Sequence, residues 1–218
     1  MKHDFIFDFK KEKLYSGIGD SLADIVRLCP DPSVIFDIGC YDGGDAVRLK
    51  EAFPKASVYA IEASPERFKT VIKVCEPLGI VCLQKALGNT RGQTTLDMRY
   101  INGVPHCGTL KGFKKHPPGE VTTQIFEVEM TTLSALAKQY GIKKIDILHM
   151  DVEGSESDVL EGMGSLRPIV MSLETNGSEW FSRAMSKKDV LSLACSFGYS
   201  VCLEKPNDAI LEYTGRAR

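Results

Sequence analysis

The feature that most limits the folds open to this chain is an alternation that begins at residue 33. Short β-rich runs, "SVIFDI" (33–38), "SVYAIE" (57–62) and "IVCLQKA" (80–86), take turns with stretches of helical periodicity. Such a pattern predicts parallel strands joined by crossover helices. Between the second and third runs, "SPERFKTVIKVCEPLG" brings Phe68, Val71, Ile72, Cys75 and Leu78 onto one helical stripe. Ser64 stands at the N-cap and Pro65 at the first helical position.

After residue 90 the rhythm changes. "GQTTLDMRY" and "EVTTQIFEVEMTT" read as extended segments separated by the irregular stretch "INGVPHCGTLKGFKKHPPG", which predicts an inserted hairpin carrying a long lid loop. The alternation resumes with a helix over "TTLSALAKQYG", a strand over "KIDILHMD" and a short helix over "SESDVLEGMG". "PIVMSLETN" then reads as a strand. "SKKDVLSLACSFG" reads as a helix with Val190, Leu193, Ala194 and Phe197 facing inward, capped by Ser186 and closed by Gly198. "YSVCLEK" and "AILEYT", separated by "PND", form an antiparallel closing pair. The expected fold is a Rossmann-like, doubly wound α/β sheet of seven mostly parallel strands with an antiparallel final strand and an inserted β-hairpin. Residues 33–218 read as one domain, with 91–130 as the insertion and 1–32 as a helical extension packing on the core.

Composition bounds the function. A chain of 218 residues, 43% of them hydrophobic, can bury a large core unaided. With 27 basic against 29 acidic residues, overall charge makes no case for nucleic acid or an anionic membrane as partner. Seven cysteines, odd in number and without CxxC spacing, fall mostly in apolar runs and read as reduced, buried thiols. The opening "MKHDFIFDFKKEKLY" interleaves charges with aromatics and lacks a continuous apolar segment, so a cytoplasmic protein without a membrane span is expected.

The ligand crevice of such a sheet lies beyond the carboxyl ends of its strands. "VIFDIGCYDGG" (34–44) places a glycine turn there, where bare backbone can approach a ligand closely or simply pack strand against helix. Asp37 closes the first strand and Glu62 the second. Two carboxylate oxygens at the second tip match the two vicinal hydroxyls of an adenosine ribose. The glycines fall as Gly39, Gly43 and Gly44 rather than as GxGxxG, Tyr41 occupies the place a pyrophosphate needs, and Asp37 adds a negative charge. These features favour S-adenosyl-L-methionine over a dinucleotide.

"DIGCYDG" (37–43) followed by "VYAIEASP" (58–65) resembles the first two cofactor motifs of class I S-adenosylmethionine-dependent methyltransferases. "LQKALGNTRGQTTL" and, above all, "IDILHMDVEGSESDVLEGM" resemble the FkbM family, whose hallmark reads close to "IDxLKIDVEGxExxVLxG". The likeness runs over roughly residues 33–176. It implies that Asp37, Gly39 and Gly43 contact the methionine part of the cofactor, Glu62 the ribose and Ala63 the adenine, with Lys85, Ala86 and Leu87 near the base. It also implies O-methylation, since family members mostly act on hydroxyls of sugars, glycolipids or polyketides. His149 stands where the family usually has lysine, and "ASP" replaces its aromatic-proline.

Methyl transfer from a sulfonium is an in-line displacement, so a hydroxyl acceptor must be aligned and relieved of its proton. "HMDVEG" supplies the candidates. Asp151 is expected at the tip of the fourth strand beside the first, with Glu153 in the following turn; Asp151 or His149 would serve as general base. The same acids could instead cap the next helix. Asp151, Glu174 and Asn176 form a candidate oxygen-donor set for magnesium or another divalent cation. His106, Cys107 and His116 lack zinc-finger spacing, and "MDVE" stands where amino-group methyltransferases of nucleobases carry "NPPY". The expected partner is a small-molecule or glycan acceptor with a free hydroxyl. The alternatives are an NAD-dependent oxidoreductase and a non-catalytic cofactor-binding scaffold.

Overall fold

The computed structural model describes residues 14–15, 17–19, 21–175 and 177–215. Its strands are, in chain order, β1 (Val34–Ile38), β2 (Ser57–Glu62), β3 (Val81–Gln84), β4 (Ala86–Leu87), β5 (Gly92–Ile101) and β6 (Val104–Thr109). Then follow β7 (Val121–Thr131), β8 (Ile147–Met150), β9 (Val170–Glu174), β10 (Tyr199–Glu204) and β11 (Asp208–Tyr213). The helices are α1 (Ser21–Leu28), α2 (Gly44–Ala52), α3 (Pro65–Cys75), α4 (Leu133–Gln139), α5 (Glu156–Glu161), α6 (Gly177–Trp180) and α7 (Lys187–Ser196).

Seven strands form the central sheet in the order β10-β11-β9-β8-β1-β2-β3. All pair in parallel except β11, which runs antiparallel to both β9 and β10, as the tight "PND" turn requires. The central strands are buried on both faces, which is why "VIFDI" and "ILHM" read as near-continuous apolar runs. Alternate residues of β1 feed opposite layers: Phe36 and Ile38 join one core cluster with Leu148 and Leu136, while Ile35 joins the other with Val47, Val58 and Ile25 of α1. Residues 1–13, 16 and 20 of the expected extension lie outside the described residues.

The caps follow their expected chemistry. Ser64 accepts from the Arg67 N–H and Ser186 from the Asp189 N–H. Val74 joins Val71 and Cys75 as fully buried residues of α3, while Ile72 sits at the margin of its stripe. The Asp146 carboxylate of "IDIL" has a purely architectural task. It accepts from the Ser33 and Val34 N–H groups at 2.8 and 3.0 Å and pairs with Lys144, tying the start of β8 to the start of β1.

Two expectations need correction. The run 80–86 is not one strand: after the Lys85 N–H reaches the Glu62 carbonyl, the chain leaves the central sheet and β4 pairs with β7. The stretch read as an irregular lid also holds a strand, β6, which returns along β5 through a turn at Asn102 (φ 52°) and Gly103 (φ 75°). Asn-Gly tolerates this left-handed pair and is the signal that the reading passed over. The insertion is therefore a second, four-stranded sheet in the order β4-β7-β5-β6. Among the described residues no helix is long and apolar enough to cross a membrane.

Two glycines with left-handed backbone differ in their surroundings. A Cβ on Gly39 (φ +77°) would stand 1.8 Å from the Asp151 carbonyl oxygen, whereas one on Gly79 (φ +70°) would meet nothing within 4 Å. Gly79→Ala is expected to cost about 1–2 kcal/mol, and Gly39→Ala more than about 4 kcal/mol, in urea denaturation. Equal costs would contradict the packing described here.

Candidate active site

A cavity of about 640 Å³ opens where β1, β2, β8 and β9 end, and residues of β5 and β6 complete its wall. The glycine turn forms one side. The Gly39 and Cys40 N–H groups both donate to the Ile61 carbonyl, at 2.9 and 3.1 Å, so the turn after β1 is held against the end of β2. Side chains are excluded from this turn chiefly by the protein itself. A Cβ on Gly43 would lie 2.5 Å from the Cys75 sulfur, and one on Gly44 2.2 Å from the Tyr15 carbonyl oxygen. Of the three residues assigned to the methionine part, Gly39 lines the cavity; Asp37 and Gly43 do not.

Asp37 is buried behind the wall among Ala46, His149 and Asp45, and burial raises its pKa to about 7. His149 belongs to the same buried group. Its Nε2 lies 3.6 Å from Asp45 Oδ2, and that oxygen also accepts from the Gly17 and Ile18 N–H groups. Burial alone would lower the His149 pKa, but Asp45 and Asp37 outweigh it and the net direction is upward. His149 thus stands behind the cavity wall rather than on it.

Glu62 faces the cavity. One carboxylate oxygen accepts from the Tyr41 N–H at 2.9 Å and the other from the Ser64 N–H at 2.7 Å. Tyr41 can present its N–H this way because its backbone is left-handed (φ 54°), and its ring packs beneath the Arg67 guanidinium. Burial raises the Glu62 pKa to about 7 against the pull of the two N–H groups. Each oxygen keeps lone pairs for a further donor. Ala63, Lys85, Ala86 and Leu87 line the neighbouring stretch of wall, with Lys85 paired to Glu129.

Opposite carboxyls crowd the third side. The Asp151 N–H donates to the Ile38 carbonyl at 2.9 Å, extending the β1–β8 ladder into the turn, and the residue lines the cavity, its Oδ1 buried without a partner among the described residues. Burial, then Glu174 and Glu153, pushes its pKa well above the ordinary carboxylate range, and its carboxyl is hydrogen-bonded to that of Glu174. Glu153 also lines the cavity from a left-handed position (φ 50°), and burial with Glu174 and Glu156 raises it to about 8. Glu156 turns back on its own loop, its Oε1 accepting from the Gly154 N–H at 3.0 Å. Asp151 and Glu174 of the candidate cation set share the cavity wall, while Asn176 lies outside the described residues. Among the described residues no group of three or more His, Cys, Asp or Glu is arranged to hold a metal ion.

The reading passed over two arginines. Arg67, from α3, donates to the Tyr41 hydroxyl and the Pro105 carbonyl and so clasps β6 to the central sheet. Arg99, from β5, is buried and lines the cavity. Alternation along β5 carried the available signal, since Met98 and Arg99 fall on opposite strand faces yet both reach the wall where the strand bulges between Arg99 and Tyr100.

Residues 37–201 match the methyltransferase FkbM domain family. The 2-O-methyltransferase NoeI of Sinorhizobium fredii is 30% identical over 141 residues, covering 61% of this chain and 58% of that protein. Methyltransferase 1 of Beauveria bassiana is 26% identical over 199 residues, covering 82% of this chain and 76% of that protein. Among solved structures, the SAH-bound methyltransferase PaMTH1 of Podospora anserina shares the fold with a TM-score of 0.50 at 12% identity, covering 94% of this chain and 82% of that one. These matches set the dinucleotide alternative aside. From the glycine turn to β10, the chain belongs to the FkbM methyltransferase domain family.

Proposed function

We propose that the protein is an S-adenosylmethionine-dependent O-methyltransferase acting on a hydroxyl of a carbohydrate-like or secondary-metabolite acceptor. The observation that carries this reading is the joint presence, on the wall of one cavity, of Glu62 and Asp151. The first suits an adenosine ribose, because each of its oxygens can still accept a hydroxyl proton. The second is a buried base with spare accepting capacity beside the turn. A relative that is a 2-O-methyltransferase supports a hydroxyl acceptor.

When bound, the cofactor supplies an electrophilic methyl on a positively charged sulfur. The residues of this chain do the rest. Gly39 keeps the turn bare, Glu62 orients the ribose, and Ala63 with Leu87 provides an apolar wall for the base. Asp151 aligns the acceptor hydroxyl and takes its proton as the methyl moves, while Glu174 holds the carboxyl through their hydrogen bond. Glu153, whose pKa burial otherwise raises to about 8, is favoured in its ionised form by a cationic donor. His149, behind the wall, acts only by supporting Asp37 and Asp45.

Asp151→Asn keeps the shape and removes the base. It is expected to lower kcat by roughly 10²–10⁴-fold in a radiolabelled methyl-transfer assay, with S-adenosylhomocysteine affinity little changed; retained turnover would remove Asp151 from the role.

The pH dependence follows from the same carboxyl. Its base form is required, and the raised pKa keeps the proton on until well above the usual range of about 4. On the acid side kcat/KM should rise about tenfold per pH unit, with that limb displaced upward from the ordinary carboxylate range. A limb near pH 4, or a flat profile, would contradict the assignment.

A further inference from the structure

Arg99 is 3% exposed and lines the cavity. Its guanidinium carbon lies 3.8 Å from the centroid of the Phe113 ring, and one terminal nitrogen donates to the Lys115 carbonyl at 2.6 Å. Its Nε–H is buried and has no partner among the described residues. A ring quadrupole and one carbonyl dipole do not balance a full buried charge, and an unmatched buried cation is costly. Glu153 lies within its electrostatic reach, and burial with the neighbouring Glu174 and Glu156 opposes ionisation of that carboxyl. Among the described residues, the guanidinium has no ion pair with a carboxylate within 4 Å. A planar guanidinium with a free Nε–H suits the oxygens of a carboxylate or phosphate.

Arg99 comes from the second sheet, not from the strand tips assigned above to the methyl donor. Resting on that assignment, we propose that Arg99 is a specificity-determining residue for the acceptor, and that the acceptor carries an oxyanion, carboxylate or phosphate, in addition to the hydroxyl that is methylated. Phe113 and Lys115 hold the guanidinium, and Met98, His106 and Cys107 line the cavity with it. An acceptor of this kind would neutralise Arg99 on entering and would bring its hydroxyl toward the carboxyls of β8 and β9.

The test uses the full chain saturated with S-adenosylhomocysteine and titrates it with inorganic phosphate, glucuronate and, as the neutral control, glucose, at constant ionic strength. Saturable binding of phosphate or glucuronate and none of glucose is expected, and which anion binds distinguishes a phosphorylated from a carboxylated acceptor. Arg99→Gln should weaken that binding by about tenfold or more, the value of one charge-assisted hydrogen bond, with S-adenosylhomocysteine affinity unchanged. Because Arg99 also packs on Phe113, Arg99→Lys is measured beside it. It keeps the charge without the fork and should bind the anion with intermediate affinity. Absence of saturable anion binding, or anion binding unaltered in Arg99→Gln, would overturn the proposal. So would a parallel loss of S-adenosylhomocysteine affinity, which would assign Arg99 to the cofactor's own carboxylate. Failure of the unmodified chain to bind S-adenosylhomocysteine would count against the cofactor reading instead, and the anion titration without it would still judge Arg99.

Discussion

The site depends on the contact between two strand ends. β1 and β8 leave the sheet side by side, and at Gly39 they come so close that one methyl group would overlap the Asp151 carbonyl oxygen. That approach has two consequences. It keeps the chain after β1 low enough for its N–H groups to reach the Ile61 carbonyl and the Glu62 carboxylate. It also fixes the backbone of Asp151 through its bond to Ile38, so that a carboxyl emerges at the cavity rather than in the sheet. A glycine placed for close packing thereby positions both the Glu62 and the Asp151 carboxyls at the cavity.

Electrostatics make the arrangement costly in isolation. Asp151, Glu153 and Glu62 face one cavity, and burial raises all three above the ordinary carboxylate range. A cationic methyl donor relieves that strain by favouring the ionised forms, as perturbed acids at functional sites do. Arg99 is the converse case, a buried cation near a carboxyl whose ionisation burial opposes.

Much of the architecture was legible because local and global signals agreed. The apolar runs of β1, β8 and β9, the caps at Ser64 and Ser186, and the turn before β11 each follow from residue chemistry. The insertion was legible only in part. β6 is short, carries Pro105 and has its polar His106 and Thr109 three residues apart, so periodicity hid it, although Asn102-Gly103 marked its turn. For the site, Glu62, Asp151 and Glu153 could be placed because strand tips point at the crevice. Asp37 and His149 could not, since whether a side chain at the end of β1 or within β8 faces the cavity or the layer behind depends on how α2 packs. Arg99 escaped for a different reason: it is covered by Phe113 and Lys115 of the loop after β6, a contact that alternation along β5 alone does not reveal.

The most direct test of the central claim is calorimetric titration with S-adenosylhomocysteine of the unmodified chain and of Glu62→Gln. One site per chain is predicted, weakened by about 10–100-fold in the variant, because one charge-assisted acceptor of the ribose hydroxyls is lost. Absence of binding to the unmodified chain, or equal affinity in the variant, would contradict a cofactor cradle built on the tips of β1, β2 and β8.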